Sequence, residues 1–308
     1  MSNHRFFVAI CSLLLLVAGC GSVEETSNSK IEVIQTLQAY TGTEYVSEIS
    51  KNNLPASDIV VVSWNACNFG RKKSPEVIVH MAQILRAADI VAIEEVSTSD
   101  FGAQAVAKLS DELNRTGAKW DYLVSDATHE SPCKERFAFL WKTARVAAIP
   151  HKATLCSGLV NSMVREPASV KFEIDKKIWL MLVSFHLAPT AKHPEKEVSE
   201  LPQHRQDFSD GNIVFVGDFN LSHDKLDGAF EQGLGAIHNI EGDTSLRAKD
   251  RGSAARSYLS KAYDNIYTKG RIRVDRSLIV DFVPQCGGLK QARTVSDHLP
   301  VAIVCNVQ

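Results

Sequence analysis

Short apolar runs that end at polar residues recur along the chain and predict a core of buried β-strands. The clearest runs cover residues 58–63, 90–93, 179–185 and 213–216. Runs of this length between turn-forming residues are typical of strands buried on both faces. The residues that directly follow the runs are Trp64-Asn65, Glu94-Glu95, His186 and Gly217-Asp218-Phe219-Asn220. Because polar groups at several strand ends can converge at one edge of a core, these side chains are expected to lie close together.

Two stretches between the runs have the spacing of helices that pack on a sheet. Ser74 and Pro75 form an N-cap and a first helical position. The apolar residues that share one face of this helix are Val77, Met81, Ile84, Leu85 and Ala88. A second helix is predicted over 101–114, prolines limit any helix within 193–208, and 250–260 is predicted to be a loop. This order of elements indicates a mixed α and β protein with a large sheet content.

The N-terminus has the pattern of an export signal. Arg5 precedes the apolar stretch 6–18, which is too short to span a bilayer comfortably. The tetrapeptide Val17-Ala18-Gly19-Cys20 resembles the lipobox at which bacterial lipoproteins are cleaved and lipidated on the cysteine. Gly21 after that cysteine resembles the pattern of proteins sent to the outer membrane. The alternative is an ordinary signal peptide with an incidental Cys20.

This pattern divides the chain into three parts. Residues 1–19 are predicted to be a lipoprotein signal peptide, and residues 20–57 a lipidated Cys20 with a tether and an N-terminal extension, which includes a short helix within 30–50. Residues 58–308 form the predicted catalytic domain. With 308 residues and 44% hydrophobic content, the chain can bury one large core. Its net charge of −2 gives no argument for a nucleic-acid partner, which would require a local basic surface.

The cysteines suggest at most a small number of disulfides. Five cysteines follow Cys20, and since five is odd, at least one thiol is expected to be free. Cys133 and Cys156 flank a predicted hairpin formed by residues 136–141 and 145–149, which makes them the favoured pair. Cys67 is interpreted as a buried structural thiol because no histidine lies near it in the sequence motif.

Carboxylates, amides and histidines at the strand ends are the residues that carry chemistry. Alternate residues of a strand point the same way, so Asp218 and Asn220 are expected to face a site while Phe219 faces the core. Glu95 ends an apolar strand, where a carboxylate needs a partner or a metal ion. The alternative for each is a solvated strand end. His186 and His298 can form an acid and base pair.

Each of these imidazoles needs a carboxylate to orient it. Asp264 and Glu135 are the candidates, and the alternative for each is an ordinary surface or salt-bridge residue. The motifs GxSxG, GxGxxG and the P-loop do not occur, which leaves serine hydrolase, dinucleotide-binding and nucleotide-hydrolase interpretations without support.

These pieces, in this order, resemble the endonuclease/exonuclease/phosphatase superfamily, and within it the secreted deoxyribonuclease I family. The motifs that carry the resemblance are Trp64-Asn65, residues 89–96, Lys134-Glu135-Arg136, Arg165-Glu166-Pro167, His186-Leu187-Ala188-Pro189, Gly217-Asp218-Phe219-Asn220, Tyr263-Asp264 and Ser296-Asp297-His298. The resemblance implies an α+β fold, a four-layer α/β/β/α sandwich of two packed mixed β-sheets with flanking helices. It places the active site at one end of the two sheets.

The resemblance also implies a role for each residue. His298 would be the base, oriented by Asp264, and His186 would be the acid, oriented by Glu135. Glu95 would hold Mg²⁺ with Asn65 and Asp297 close by. Asp218 and Asn220 would bind metal or phosphate and position the scissile group. Arg165 would contact a DNA phosphate.

Three departures from the family pattern stand out. Glu94 occupies a position where the family usually has Gln. Ser97 and Cys133 replace an Arg and a Tyr that enter the DNA minor groove, so a weaker preference for duplex DNA is expected. His223 and Lys261 stand where the family has a disulfide. Their joint presence indicates a tolerated change.

Together these features predict a monomeric, lipid-anchored phosphodiesterase at the bacterial envelope that uses Mg²⁺ to hydrolyse DNA. Mn²⁺ and Ca²⁺ are additional candidate ions. One alternative is a phosphoesterase of the same superfamily that acts on phospholipid head groups or small phosphate esters. The other is a binding module without catalytic activity, which the complete set of site residues disfavours.

Overall fold

A computed structural model describes residues 55–129, 134–209, 211–252 and 256–308. The predicted signal peptide, the lipidated Cys20, the tether, the helix within 30–50 and Cys133 lie outside the described residues. No helix in the described part of the chain is both long and apolar enough to cross a membrane.

Thirteen strands and five α-helices make up the described domain. The strands are β1 (Ile59–Phe69), β2 (Ile90–Val96), β3 (Trp120–Val124), β4 (Arg136–Lys142), β5 (Val146–Ala148), β6 (Thr154–Leu155), β7 (Ala168–Ile174), β8 (Ile178–His186), β9 (Asn212–Asp218), β10 (Ile237–His238), β11 (Asp264–Lys269), β12 (Ile272–Ile279) and β13 (Val301–Val307). The helices are α1 (Pro75–Leu85), α2 (Asp100–Asn114), α3 (Pro194–Glu200), α4 (His223–Asp227) and α5 (Leu289–Val295). A π-helical segment follows α4 at Gly228–Leu234.

The strands form two mixed sheets. The first has the order β12-β13-β1-β2-β4-β3, and the second the order β10-β11-β9-β8-β7-β5, with β6 paired to β7. One pair in each sheet is parallel, β1 with β2 and β8 with β9. Each parallel pair delivers two strand ends to the same edge, as βαβ units do.

The two sheets pack face to face, with helices on both outer faces. Apolar residues of both sheets, such as Phe139 and Leu182, form the central cluster. Residues of α1, α2 and α5 cover the outer face of the first sheet. Residues of α3, α4 and the π-helical segment, including Phe230, cover the second sheet. The four-layer α/β/β/α sandwich is therefore confirmed, and it buries the strands on both faces because each sheet has an apolar neighbour on either side.

Helix α1 shows how the sequence specifies these elements. The Ser74 hydroxyl accepts a hydrogen bond from the backbone N–H of Val77, and Pro75 takes the first helical position. The predicted face is buried against the first sheet. Helix α2 covers almost the predicted range. Between 193 and 208 the helical segments are short and begin at Pro194 and near Pro202, as the prolines require.

The predicted hairpin is wrong. Strand β4 belongs to the first sheet, whereas β5 pairs with β7 in the second, so the chain crosses between the sheets at this point. The Arg145 guanidinium stabilises the crossing by donating to the Asp58 carbonyl and to the Asp175 carboxylate. Cys156 has a free thiol, and its favoured partner Cys133 lies outside the described residues.

Register in the second sheet places three predicted site residues side by side. His186 lies opposite Asp218 in the parallel β8–β9 pair. The antiparallel pairing of β9 with β11 puts Asp264 opposite the same Asp218. Three chemically active side chains are therefore delivered to one edge by backbone pairing alone, before any side-chain contact is considered.

Candidate active site

The His186 imidazole is held by a buried carboxylate. Its Nδ1 atom lies 3.0 Å from Oε1 and 2.9 Å from Oε2 of Glu135. The Glu135 backbone N–H donates to the Thr128 hydroxyl, which fixes the residue that directly precedes β4. Because Glu135 holds Nδ1 of His186, the Nε2 atom is directed at the site, where it lies 3.6 Å from Oδ2 of Asp218. The predicted pairing of His186 with Glu135 is present.

Arg165 is built into this half of the site. Its Nε donates to the carbonyl of His186 over 2.8 Å, and its NH2 donates to the carbonyl of Leu187. Nε also lies 3.8 Å from Oε2 of Glu135. The side chain is largely buried, although it lines the adjacent cleft. Arg165 therefore supports the end of β8 as well as facing the place where it was expected to meet a phosphate.

The His298 imidazole is held in the same way by a second carboxylate. Its Nδ1 lies 2.8 Å from Oδ2 of Asp264, and its Nε2 lies 3.7 Å from Oδ2 of Asp218. The Thr244 hydroxyl donates to Oδ2 of Asp264. Oδ1 of Asp264 is buried without a hydrogen-bond partner among the described residues. A buried, unpartnered carboxylate oxygen is costly, which makes this atom a candidate to receive a ligand.

Two residues of the quoted motifs, to which the sequence analysis gave no role, fix the position of His298. Its backbone N–H donates to the Ser296 hydroxyl over 3.1 Å, and its carbonyl accepts from Nε1 of Trp64 over 2.8 Å. Ser296 also donates to the carbonyl of Asn65, which joins the loop before β13 to β1. Ser296 belongs to the motif Ser-Asp-His and could have been found there. Thr244 lies in a segment with no motif, and nothing in the sequence marked it.

Asp218 lies between the two histidines. One of its oxygens, Oδ2, faces both Nε2 atoms and also accepts from Nδ2 of Asn65 over 3.1 Å. The other oxygen accepts from the backbone N–H of Asn220 over 2.9 Å. Asn220 itself has a left-handed backbone with a φ of 51°, and its amide donates to the Leu187 carbonyl. Phe219 points into the core as predicted.

Glu95 lies at the rim of the site with a strained backbone. Its φ is 59°, and it turns the carboxylate out of the strand direction. Oε1 accepts from Nδ2 of Asn65 over 3.1 Å, and Oε2 accepts from the Asn68 backbone N–H over 2.7 Å. Asn65 therefore uses its amide nitrogen to join Glu95 and Asp218, while its oxygen accepts from the Cys67 backbone. In this arrangement Asn65 positions the carboxylates.

The described residues contain one group of three ligand atoms within 4.8 Å of one another, supplied by Asp218, Asp264 and His298. Glu95 is linked to this group through Asn65. Asp297, expected near the metal ion, is partly exposed, and its Oδ2 lies 3.5 Å from NH2 of Arg293. Carboxylate oxygens predominate in this set, as Mg²⁺ and Ca²⁺ prefer.

Burial and neighbouring charge act in opposite directions on both histidines. Burial alone would lower the pKa of His186, but the charge and hydrogen bond of Glu135 outweigh it and raise the pKa. Burial would likewise lower the pKa of His298, but the charges of Asp264 and Asp218 raise it well above the usual range. Burial raises the pKa of Asp264. Asp264 and Asp218 favour a positive charge at His298, and a cation bound there would compete with its proton.

Glu94 and Glu95 point in different directions. Glu94 is fully buried between the sheets, where Oε1 accepts from the hydroxyls of Ser63 and Ser184. Burial raises the pKa of Glu94 to about 8. A carboxyl with that pKa is mostly neutral at pH 7, so Glu94 adds little negative charge beside Glu95.

Other departures from the expected pattern also have a structural setting. Cys67 is half-buried at the site rim, not buried as predicted. Burial, Asp297 and Glu95 raise its pKa, so the thiol is a poor nucleophile. The ring of His223 stacks on His238 at a centroid distance of 4.6 Å, where the resemblance would place half of a disulfide.

Known proteins resemble this chain in sequence. A model of the endonuclease/exonuclease/phosphatase family matches residues 62–298. A deoxyribonuclease of Thioalkalivibrio sp. (strain K90mix) is 28% identical over 224 residues, which cover 68% of this chain and 58% of the relative. Deoxyribonuclease-1 of Canis lupus familiaris is 31% identical over 172 residues, which cover 52% of this chain and 59% of the relative. The chain thus spans about three fifths of the length of these two relatives.

Solved structures resemble it in fold. The endonuclease/exonuclease/phosphatase from Bacteroides vulgatus superposes with a TM-score of 0.58 at 14% identity, covering 82% of this chain and 99% of that one. TDP2 of D. rerio in complex with a single-strand DNA product superposes with a TM-score of 0.56 at 14% identity, covering 82% and 100%. At these identities the likeness shows a shared fold.

Proposed function

The chain belongs to the endonuclease/exonuclease/phosphatase family, and on that premise we propose that it is a metal-dependent phosphodiesterase that hydrolyses DNA. The observation that carries the proposal is the pair of imidazoles, each held at Nδ1 by its own carboxylate and each directing Nε2 at the same oxygen of Asp218. Displacement at phosphorus requires a base on one side of the phosphate and an acid on the other.

In this proposal His298 accepts a proton from the attacking water, and His186 donates one to the leaving oxygen. Asp264 and Glu135 hold the two rings through Nδ1, so that each Nε2 faces the substrate. Asn220 positions the carboxylate of Asp218 through its backbone N–H. Arg165 lines the approach to His186 and contacts a substrate phosphate there.

The donor set fits a hard divalent cation, for which we propose Mg²⁺, with Mn²⁺ or Ca²⁺ as substitutes. Glu95 and Asp218 supply carboxylate oxygens, and Asp264 has a buried oxygen without a protein partner. Asp297 contributes negative charge nearby. When bound, such an ion would stabilise negative charge on the phosphate oxygens. Cysteine and histidine do not form the closed cage of a structural zinc site among the described residues.

We propose that the enzyme is a monomer at the bacterial envelope, anchored to the outer membrane through a lipid on Cys20. The support is the sequence of the first 21 residues, in which an apolar stretch leads to Val-Ala-Gly-Cys-Gly. A single lipidated segment tethers a domain without inserting it. Incorporation of labelled palmitate into the wild type but not into Cys20→Ala would support the anchor, and equal labelling of both would contradict it.

One experiment tests the central proposal. The full chain in detergent is incubated with plasmid, single-stranded DNA, RNA, sphingomyelin and a small phosphate monoester, each with Mg²⁺ or with chelator. We expect Mg²⁺-dependent cleavage of DNA, with less preference for duplex than an enzyme that inserts side chains into the minor groove. Cleavage of sphingomyelin or the monoester without cleavage of DNA would instead support the phosphoesterase alternative.

A further inference from the structure

A cleft of about 440 Å³ opens beside His186. The side chains that line it include Arg71, Lys72, Ser97, Thr98, Lys134 and His186. The cleft is formed by the loop after β1, the turn after β2 and the residues just before β4. Its position makes it continuous with the acid half of the proposed active site.

The exposed charge in the cleft is basic. Arg71, Lys72 and Lys134 are exposed, and none of them forms an ion pair with another described residue. Two carboxylates also line the cleft, but both are engaged. Glu95 accepts from Asn65 and from the Asn68 backbone, and Glu135 is held by His186 and Arg165. Four cationic side chains line the cleft against these two carboxylates, namely Arg71, Lys72, Lys134 and Arg165, so its net charge is positive although the chain as a whole carries −2.

Arg71 is held in place rather than extended into solvent. Its guanidinium carbon lies 5.2 Å from the ring centroid of Phe101, at the start of α2. Phe101 is one of the large apolar side chains that remain exposed, at 43%. A guanidinium on an aromatic face keeps its hydrogen-bond donors free for a phosphate. The contact between Arg71 and Phe101 thus accounts for the exposed position of the ring and for the orientation of the guanidinium.

The backbone that carries Arg71 is close to the opposite wall. A Cβ atom at Gly70 would lie 2.9 Å from Cβ of Ser97, so glycine permits this approach. The hydroxyls of Ser97 and Ser99 are hydrogen-bonded to each other over 2.8 Å, which fixes the turn. The two walls of the cleft are therefore held close together, with Arg71 on one and Ser97 on the other.

The cleft belongs to one side of the reaction. It is lined by His186 and Glu135, whereas His298 and Asp264 are not part of its wall. We propose that Arg71, held on Phe101, and Lys72 bind the phosphodiester backbone of the strand segment attached to the leaving oxygen. This inference rests on the proposed function and names the substrate feature that the site reads. Backbone contacts of this kind carry no sequence preference and do not require a duplex.

The test uses paired charge removal. Arg71→Gln/Lys72→Gln is compared with Lys176→Gln/Lys177→Gln, an exposed basic pair at the turn before β8, at the opposite end of that strand from His186. KM is measured with a single-stranded oligonucleotide across a range of salt concentrations. Turnover of bis(p-nitrophenyl) phosphate, which has no flanking phosphate for Arg71 or Lys72 to bind, reports on the catalytic groups and on correct folding.

We expect the cleft variant to raise the oligonucleotide KM about tenfold and to reduce the slope of log(kcat/KM) against log salt by about 1.4, since each phosphate contact in a single strand contributes about 0.7. Its turnover of the short diester and the properties of the control pair should match the wild type. Phe101→Ala should raise KM about threefold with an unchanged salt slope, because the charge remains while its platform is lost.

The outcomes separate this inference from the proposed function. If the wild type cleaves DNA and the cleft variant keeps the wild-type KM and salt slope, the cleft inference is overturned while the function stands. If the wild type cleaves no DNA, the assignment to a nucleic-acid strand is overturned. The same holds if the cleft variant lowers turnover of sphingomyelin vesicles but leaves DNA cleavage unchanged.

Discussion

The two halves of the active site use the same device in opposite electrostatic surroundings. His186 is held by Glu135 beside the guanidinium of Arg165 and opens onto the basic cleft. His298 is held by Asp264, with Asp218 and Asp297 also acting on it. Both imidazoles have raised pKa values, but Arg165 opposes the increase at His186, whereas every charged neighbour named for His298 adds to it.

This difference shows that the role of a histidine–carboxylate pair is set by the residues around the pair. In the half around His298, negative charge exceeds positive charge, which favours a bound cation. In the half around His186, cations dominate the exposed surface, which favours substrate phosphates. A phosphodiester placed across Asp218 would therefore meet the carboxylates around His298 on one side and basic side chains on the other. Glu95 lies between the two, because it lines the cleft and is linked to Asp218 through Asn65.

The largest effect should come from removing either imidazole. His186→Ala and His298→Ala are each expected to lower DNA cleavage by about 10²–10⁴-fold. The two should differ on bis(p-nitrophenyl) phosphate, because p-nitrophenolate leaves without a proton. His186→Ala should recover to within about tenfold of the wild type on this substrate, and His298→Ala should not. Steady-state kinetics on both substrates make the comparison, and equal losses on both would show that the halves do not divide the acid and base roles.

The next effect concerns the cation. Glu95→Gln should raise the Mg²⁺ concentration needed for half-maximal activity by at least about tenfold, because it removes a carboxylate from the donor set. Glu94→Gln is the matched control below pH 7, where burial keeps Glu94 mostly protonated. Metal titrations of activity provide the measurement. An unchanged Mg²⁺ requirement in Glu95→Gln would remove that residue from the cation site.

Glu94→Gln should also change the unfolding free energy of the protein, because Glu94 is buried beneath both halves of the site. The folded pKa of Glu94 is about 8 against an ordinary value of 4.5, so its contribution to stability is most favourable below pH 4.5 and is lost as the pH rises toward 8. The variant should gain on the order of 2 kcal/mol in unfolding free energy at pH 8 and much less at pH 5. Urea denaturation at both pH values measures the gain. A gain that does not depend on pH would show that ionisation of Glu94 is not its source.

The smallest effect is expected from the support of His186. Arg165→Lys removes the fork that joins the carbonyls of His186 and Leu187, and kcat on DNA should fall by about threefold to tenfold without a change in Mg²⁺ requirement. Arg145→Lys is the control, since it loses a comparable fork at the crossing between the sheets, beside the turn at the opposite end of β8 from His186. It should lower stability but leave kcat unchanged. A shifted Mg²⁺ requirement in Arg165→Lys would contradict the separation of the two halves.

Much of this site could be predicted because its residues follow apolar strands directly. His186, Asp218 and Asp264 each terminate or begin a strand, and register brings them together. Local sequence could not show that 136–141 and 145–149 belong to different sheets, because the turn between them resembles an ordinary hairpin. It also gave no signal for Thr244, whose contact with Asp264 joins segments 20 residues apart.

The sequence by itself determined the main apolar strands and the first helix, since periodicity and capping are local properties of the chain. Its resemblance to a known superfamily, carried by motif order, implied the sandwich class and the candidate catalytic side chains. Only the tertiary structure decided how charge is divided. Arg165 stands beside Glu135, Glu94 is buried under the site, and Arg71 rests on Phe101 because distant segments pack together. Electrostatic environment depends on distance and burial in three dimensions, and no spacing along a chain specifies either.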